Sequence, residues 1–303
     1  MTESNVSSQL IIILDTNPVW WGQADKRQSG QNQVTLAQCL ECLMVFANSH
    51  LMMSHRNKLA VIAAHTDRSL FLYPKKDQGE MANTNIGDES AQGDGKYELF
   101  GLVNNQIKDQ ARELVINGGS SLLYPDTVLA GALAMALCYI HRSEKEVNPG
   151  EQLSSRVLII KGSEDNPEQY MNLMNAVFTA QKQNIVVDAC VLDNDSGLLQ
   201  QACDITGGIY LKIPQVAGLL QYLLWVFLPD PTERHKLNLP PKAQVDYRAA
   251  CFCHRNLIDI GYVCSVCLSI HCSFSPICST CHTTFKMFGP TKGLKRKSKK
   301  QAS

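Results

Sequence analysis

The sequence predicts an α/β protein: a mostly parallel six-stranded sheet flanked by helices, followed by a small cysteine-rich module. Three observations carry this. Leu10-Ile11-Ile12-Ile13-Leu14 is an unbroken aliphatic run, the pattern of a strand buried on both faces of a parallel sheet. Strand-like and helix-like stretches then alternate as far as Phe227, which is the signature of a parallel sheet with helical crossovers. Seven of the twelve cysteines fall between Cys251 and Cys281, six of them in closely spaced pairs.

The first strand stops at Asp15, and Pro18 prevents its ladder from resuming. Ligands of open α/β sheets bind at the carboxyl ends of strands, so Asp15 is a candidate site residue. Trp20-Trp21-Gly22 opens a polar loop that runs to Gln33. The tryptophans suit a core and an interface centre equally. Thr35 reads as an N-cap, with Leu36, Leu40, Leu43, Met44 and Ala47 following at helical spacing. Strands are expected at 58–64 and 69–73, close enough to form a hairpin that Pro74 ends. The stretch 75–95 is polar and Gly-rich and reads as a mobile insertion. Helices follow around 103–114 and 127–141, with Thr127 placed to cap the second. A polar loop at 144–155 leads to a strand at 156–160, a helix at 170–182, a strand at 185–191 and a helix at 197–205. Gly207-Gly208 turns into a short strand at 209–213, and an apolar helix at 216–227 is stopped by Pro229 and Pro231. The expected boundaries are a first domain at 8–229, a linker at 230–247 containing Pro240-Pro241, a module at 248–286, and a basic tail at 287–303.

A chain of 303 residues with 45% apolar content and zero net charge suits one large folded domain plus a small one. Residues 1–9 lack the positive region of a signal peptide. The apolar run at 216–228 is shorter than the ~20 residues a bilayer span needs. Lysines and an arginine crowd residues 292–300, which suits nuclear import, loose nonspecific phosphate contact or simply a solvated end. The α/β body has no basic stripe with interleaved aromatics, which argues against sequence-specific DNA binding.

Cys264-x-x-Cys267, ten residues, then Cys278-x-x-Cys281 is the spacing of two knuckles that bring four thiolates around one Zn²⁺. A complete tetrad leaves no open position for water, so the expected role is structural. Metal would supply much of the folding free energy of so small a module. Cys251, Cys253 and Cys272 with His254 form a candidate second site; buried thiols and surface imidazoles are the alternative reading. The remaining cysteines, Cys39, Cys42, Cys138, Cys190 and Cys203, lie in apolar periodic segments and are expected in the core.

Asp15 is tested by the partners it would need. Asp15-Thr16-Asn17 after an aliphatic run is similar to the opening of PIN-type Mg²⁺ nucleases, which need further carboxylates to hold the metal. Glu41, Asp193 and Asp195 are the available acids, but 160–162 is Ile-Lys-Gly. A haloacid-dehalogenase phosphatase needs a second aspartate where this chain has Asn17. The third design is the von Willebrand A domain, with D-x-S-x-S in its first loop and a Thr and an Asp from later loops. Here Asn17 and Val19 stand at the serine positions, Thr127 precedes a helix, and Lys161-Gly162-Ser163 stands where the late aspartate belongs. The chain thus resembles a von Willebrand A-like domain whose metal loop is dismantled. Asp15, Asn17 and Thr127 are remnants expected to hold a turn rather than an ion.

The resemblance becomes specific in D-S-G-L-L-Q-Q-A-C-D-I-T-G-G (195–208), L-Q-Y-L-L-W-V-F-L-P (220–229), V-D-Y-R-A-A-C-F-C-H (245–254) and G-Y-V-C-S-V-C-L-S-I-H-C (261–272). These stretches, with D-T-N-P-V-W-W-G at 15–22, resemble the family of 34-kilodalton subunits of the general transcription and DNA repair factor TFIIH. That resemblance implies a nuclear, non-enzymatic component of the TFIIH core, acting in RNA polymerase II transcription initiation and nucleotide excision repair. It implies that the A-like domain binds the C-terminal zinc-binding domain of the 44-kilodalton subunit, which in turn engages the repair helicase. The competing classes are a nuclease using Asp15 and a zinc-dependent DNA-binding module.

Overall fold

The computed structural model describes residues 6–26, 35–75, 95–118, 126–147, 152–166, 169–241, 244–254 and 257–285. The expected insertion at 75–95 lies outside them except for its two end residues, and the tail at 287–303 lies outside them entirely. Two compact units are present, Met1–Val245 and Asp246–Ser303.

The first unit is built on β1, Val6–Asp15, which pairs in parallel with β2, Lys58–Ala64, on one side and β4, Gln152–Lys161, on the other. β3, Ser69–Tyr73, closes one edge antiparallel to β2; β5, Val186–Val191, and β6, Tyr210–Lys212, extend the other in parallel. The order is therefore β3-β2-β1-β4-β5-β6, a mostly parallel sheet in the von Willebrand A arrangement. Leu10, Ile12 and Leu14 face one layer, with α2 (Leu36–Met53), α3 (Gly95–Gly118) and the apolar helical segment Val216–Phe227 against them. Ile11 and Ile13 face the other, with α4 (Leu129–Lys145), α5 (Tyr170–Lys182) and α6 (Gly197–Thr206). Each of these five side chains is at most 1% exposed, and full burial stabilises by roughly 1.5–3 kcal/mol per side chain.

β1 and β4 both begin earlier than their apolar runs. Val6–Gln9 pair with Gln152–Ser155 in register, and the buried polar side chains among them are satisfied internally. Gln9 is fully buried, donates to Ser143 Oγ at 3.2 Å and accepts from Ser155 Oγ at 3.4 Å. Polarity therefore hid these strand halves.

The polar loop expected after Trp20-Trp21 is instead α1, Pro18–Lys26; residues 27–33 lie outside the described ones. Pro18 occupies the first helical position, where its missing N–H costs nothing. Asn17 caps the helix, its Oδ1 accepting from Val19 N at 2.9 Å and Trp20 N at 3.3 Å. α2 starts with the expected cap at Thr35, a capping box closed by Gln38. With 18 residues and mean hydropathy 1.2, α2 is long and apolar enough to cross a membrane. Its face of Cys39, Leu43, Phe46, Ala47 and His50 is buried, which makes it a core helix. Cys138, expected in the core, is exposed. α4 faces the sheet through Leu133, Ala136, Leu137 and Ile140, and position 138 points away.

The turn after α6 requires both of its glycines. Gly207 ends the helix at φ 74°, and a Cβ on Gly208 would lie 1.9 Å from Val187 O.

The apolar helical segment Val216–Phe227 ends in a π-helical stretch, Leu223–Phe227. Leu219, Leu223, Val226 and Phe227 are buried, whereas Trp225 is 73% exposed. Arg156, on β4 and 1% exposed, caps this segment: Nη1 donates to Phe227 O at 2.7 Å and Pro229 O at 2.8 Å, and Nη2 to Leu228 O at 2.8 Å. A cation at carbonyls left free by a helix end is favourable. Arg234, beyond Pro229, then inserts against β5. Its Nη1 and Nη2 meet Asp188 at 2.8 and 2.5 Å, and its Nε donates to Pro229 O at 3.2 Å.

The second unit is built on short antiparallel pairs: β7 (Ala249–Ala250) with β8 (Leu257–Ile258), and β9 (Tyr262–Val263) with β10 (Ile270–His271).

Candidate functional site

Asp15 sits at the carboxyl end of β1 and is 1% exposed. Its carboxylate is filled by the chain itself. Oδ1 accepts from Asn17 N at 3.1 Å and Thr127 Oγ1 at 2.8 Å. Oδ2 accepts from Gly162 N at 3.3 Å, Ser163 N at 2.8 Å and Ser163 Oγ at 2.5 Å. Asn17 Nδ2 also donates to Thr127 Oγ1 at 3.1 Å, and the Thr127 and Ser163 hydroxyls lie 3.0 Å apart. Asp15, Asn17 and Thr127 are thus brought together, in a closed hydrogen-bonded cluster. Thr127 does not cap α4; Gln169 does, its Oε1 accepting from Leu129 N and Ala130 N at 3.0 and 3.3 Å.

The late loop explains the closure. Ser163 occupies the position from which a late acid would reach Asp15. Lys161, 4% exposed, is ion-paired with Asp165. Asp165 also accepts from Ser196 Oγ at 2.6 Å. Trp20 covers the loop: a Cβ on Gly162 would fall 2.5 Å from its ring. Trp21 is 7% exposed, stacks edge-on against Trp20 and donates from Nε1 to Asp15 O at 2.9 Å. Both tryptophans therefore pack the loop in place. Asp193 accepts from Trp20 Nε1 at 3.3 Å, and Asp195 pairs with Lys212. Glu41 is exposed on α2. Among the described residues, none of these acids joins Asp15 in a metal-holding group.

Two groups that can hold a metal ion lie in the second unit: Cys264, Cys267, Cys278 and Cys281, and Cys251, Cys253, His254 and Cys272. Within each, the ligand atoms all lie within 4.8 Å of one another. In the first, Cys264 and Cys281 sulfurs are 3.7 Å apart and Cys267 and Cys278 sulfurs 3.6 Å apart. Tetrahedral bonds of about 2.3 Å require sulfurs about 3.8 Å apart, so the four fit one ion.

The two knuckles share one backbone design. Cys264 N donates to Ser269 O and Leu268 N to Cys264 O, both at 2.9 Å; Cys278 N donates to Thr283 O at 3.0 Å and His282 N to Cys278 O at 2.9 Å. Each turn closes on a left-handed residue, Leu268 at φ 61° and His282 at φ 58°. Ser269, 2% exposed, lies 3.0 Å from Cys267 Sγ and 3.5 Å from Cys278 Sγ. Its hydroxyl, with the Cys281 backbone N–H next in effect, holds the Cys278 thiol down to about 4. The metal-binding form of a thiol is the thiolate. Spacing pointed to the four cysteines; Ser269 carried no signal of its own.

A von Willebrand A-like domain with a closed hydrogen-bonded cluster at the end of β1, followed by a cysteine module that can hold metal, is the class this chain represents. The family description of transcription factor Tfb4 matches residues 7–282, and the chain belongs to that family. The general transcription and DNA repair factor IIH subunit tfb4 of Schizosaccharomyces pombe is 38% identical over 292 residues, covering 96% of this chain and 93% of the relative. The subunit TFB4 of Arabidopsis thaliana is 36% identical over 282 residues, covering 92% and 89%. A crystal structure of the TFIIH p34 N-terminal domain aligns with TM-score 0.59 and 29% identity, over 73% of this chain and 98% of that one.

Proposed function

We propose that this chain is a non-catalytic structural subunit of the TFIIH core, acting in RNA polymerase II transcription initiation and nucleotide excision repair. In this reading it is nuclear, its A-like domain binds the 44-kilodalton subunit through that partner's C-terminal zinc-binding domain, and it helps hold the core together. Cys264, Cys267, Cys278 and Cys281 hold a structural Zn²⁺, which supplies four bonds that fix the module and no chemistry at substrate.

The observation that carries the reading is the Asp15 carboxylate, occupied by five donors from its own chain. A metal-dependent nuclease needs that carboxylate free. Support for an assembly role comes from the second unit, where Ile260, Leu268, Val266 and Val263 are 87%, 72%, 63% and 60% exposed. Apolar surface of this kind on so small a unit suits a protein partner.

Native mass spectrometry of the full chain mixed with the 44-kilodalton subunit tests the proposal. The expected result is a complex containing both chains, with zinc retained. Absence of a complex, or Mg²⁺-dependent nucleic-acid cleavage that disappears in Asp15→Ala, overturns it.

A further inference from the structure

We infer that the module holds a second zinc ion, bound by Cys251, Cys253, His254 and Cys272, and that the two centres are interleaved along the chain. This inference goes beyond the single tetrad above and does not depend on the partner assignment.

The second group is assembled by backbone structure. β7 and β8 pair on either side of the segment that carries Cys251, Cys253 and His254. Phe252 N donates to Ile270 O at 2.8 Å, which stitches that segment to β10. Cys272 follows β10 directly, and so arrives beside the same segment. Cys253 Sγ lies 3.3 Å and His254 Nδ1 3.2 Å from Cys272 Sγ. A disulfide needs sulfurs at about 2.04 Å, and these cysteines form none. Three thiols and an imidazole, all within 4.8 Å, are the Cys₃His donor set of a closed zinc site. Nδ1 is the histidine atom that faces the group, so it is the assigned ligand.

Chain order makes the arrangement more than two neighbouring sites. The ligands come as 251/253/254, then 264/267, then 272, then 278/281. The first and third groups serve one ion, and the second and fourth serve the other. The β9–β10 hairpin links them. Val263 pairs with Ile270 and Tyr262 with His271. Cys264 therefore leaves one end of the hairpin and Cys272 the other, with the centres separated by roughly 10 Å along the strand. Each ion holds a segment that the other cannot reach, which is how a unit with little apolar core is fixed in one shape.

The test is zinc stoichiometry of the intact full-length chain, grown with zinc and measured by native mass spectrometry. Two zinc ions are expected in the wild type, one in Cys272→Ser and one in Cys278→Ser. A single wild-type zinc that Cys278→Ser removes and Cys272→Ser leaves in place overturns this inference while the tetrad stands. Cobalt substitution of the wild type gives a reading without any ligand variant. Thiolate-to-cobalt absorption should saturate at the intensity of seven thiolates, and at eight in His254→Cys. Saturation at four thiolates in the wild type overturns the second centre.

Discussion

Ser163 donates twice to the same oxygen of Asp15, from its backbone N–H at 2.8 Å and from its hydroxyl at 2.5 Å. The loop after β4 is thereby bonded to the end of β1. Asp15→Ala removes a buried acceptor from five donors. Hydrogen bonds to a charged group are worth more than neutral ones, and orphaned buried donors carry a penalty. The expected loss is about 3 kcal/mol, with a melting temperature lower by roughly 10 °C. Wild-type melting should not respond to millimolar Mg²⁺ or Mn²⁺. A rise with either ion would show that the loop binds metal.

Arg156 should be as sensitive. Arg156→Met leaves three carbonyls, the buried one of Phe227 and the partly buried ones of Leu228 and Pro229, without this donor. A destabilisation of about 3 kcal/mol is expected. Arg156→Lys should rescue little of it, because an ammonium lacks the planar fork. Urea unfolding followed by tryptophan fluorescence reads this cleanly, since Trp20, Trp21 and Trp225 all lie in the first unit. Full rescue by lysine would contradict the role given to the fork.

His50 sets an acid limit. Burial first, and then the charge of Arg156, lower its pKa from 6.5 to about 4. Between these values the unfolded chain binds the proton and the folded chain does not, so stability falls as pH drops from 6.5 to 4. The loss is complete below about pH 4 and amounts to roughly 3 kcal/mol. In His50→Gln that part of the pH dependence should vanish. An unchanged slope across the window would assign it to other groups.

The left-handed residues of the knuckles invite improvement. A non-glycine residue in this conformation costs roughly 1–2 kcal/mol, and Leu268 is 72% exposed, so its side chain has little packing to lose. Leu268→Gly should stabilise the metal-loaded module by about 1 kcal/mol, after allowance for the freer unfolded chain. Chelator competition should then show about fivefold tighter zinc retention. Weaker retention would mean that Leu268 has a packing role within the module.

Legibility in the sequence followed how completely one signal dominated each stretch. β2 and β3 were readable to the residue, because apolar runs end at a polar turn and at Pro74. The first halves of β1 and β4 were not, because Gln9 and Ser155 are buried by bonding to each other rather than by being apolar. α1 was hidden behind Trp-Trp-Gly, although Asn17-Pro18 is a cap followed by a first-turn proline, and that signal was available. Around Asp15 the sequence displayed missing partners, Asn17, Val19 and Lys161, but not what replaces them. Ser163 contributes through a backbone N–H as well as a hydroxyl, and Gln169 caps a helix forty residues away; neither role has a local pattern. Cysteine spacing is different in kind, since two knuckles constrain the ligands directly.

The pairing of Arg234 with Asp188 also has a consequence in time. The two residues are 46 positions apart, which at 5–20 residues per second is roughly 2–9 s of synthesis. During that interval β5 carries an aspartate destined for 1% exposure without the guanidinium that pairs with it. The Asp188–Arg234 ion pair cannot close until Arg234 has been made. The first unit therefore reaches its final charge pairing late, almost in step with the module behind it, although its central strand is among the first residues translated.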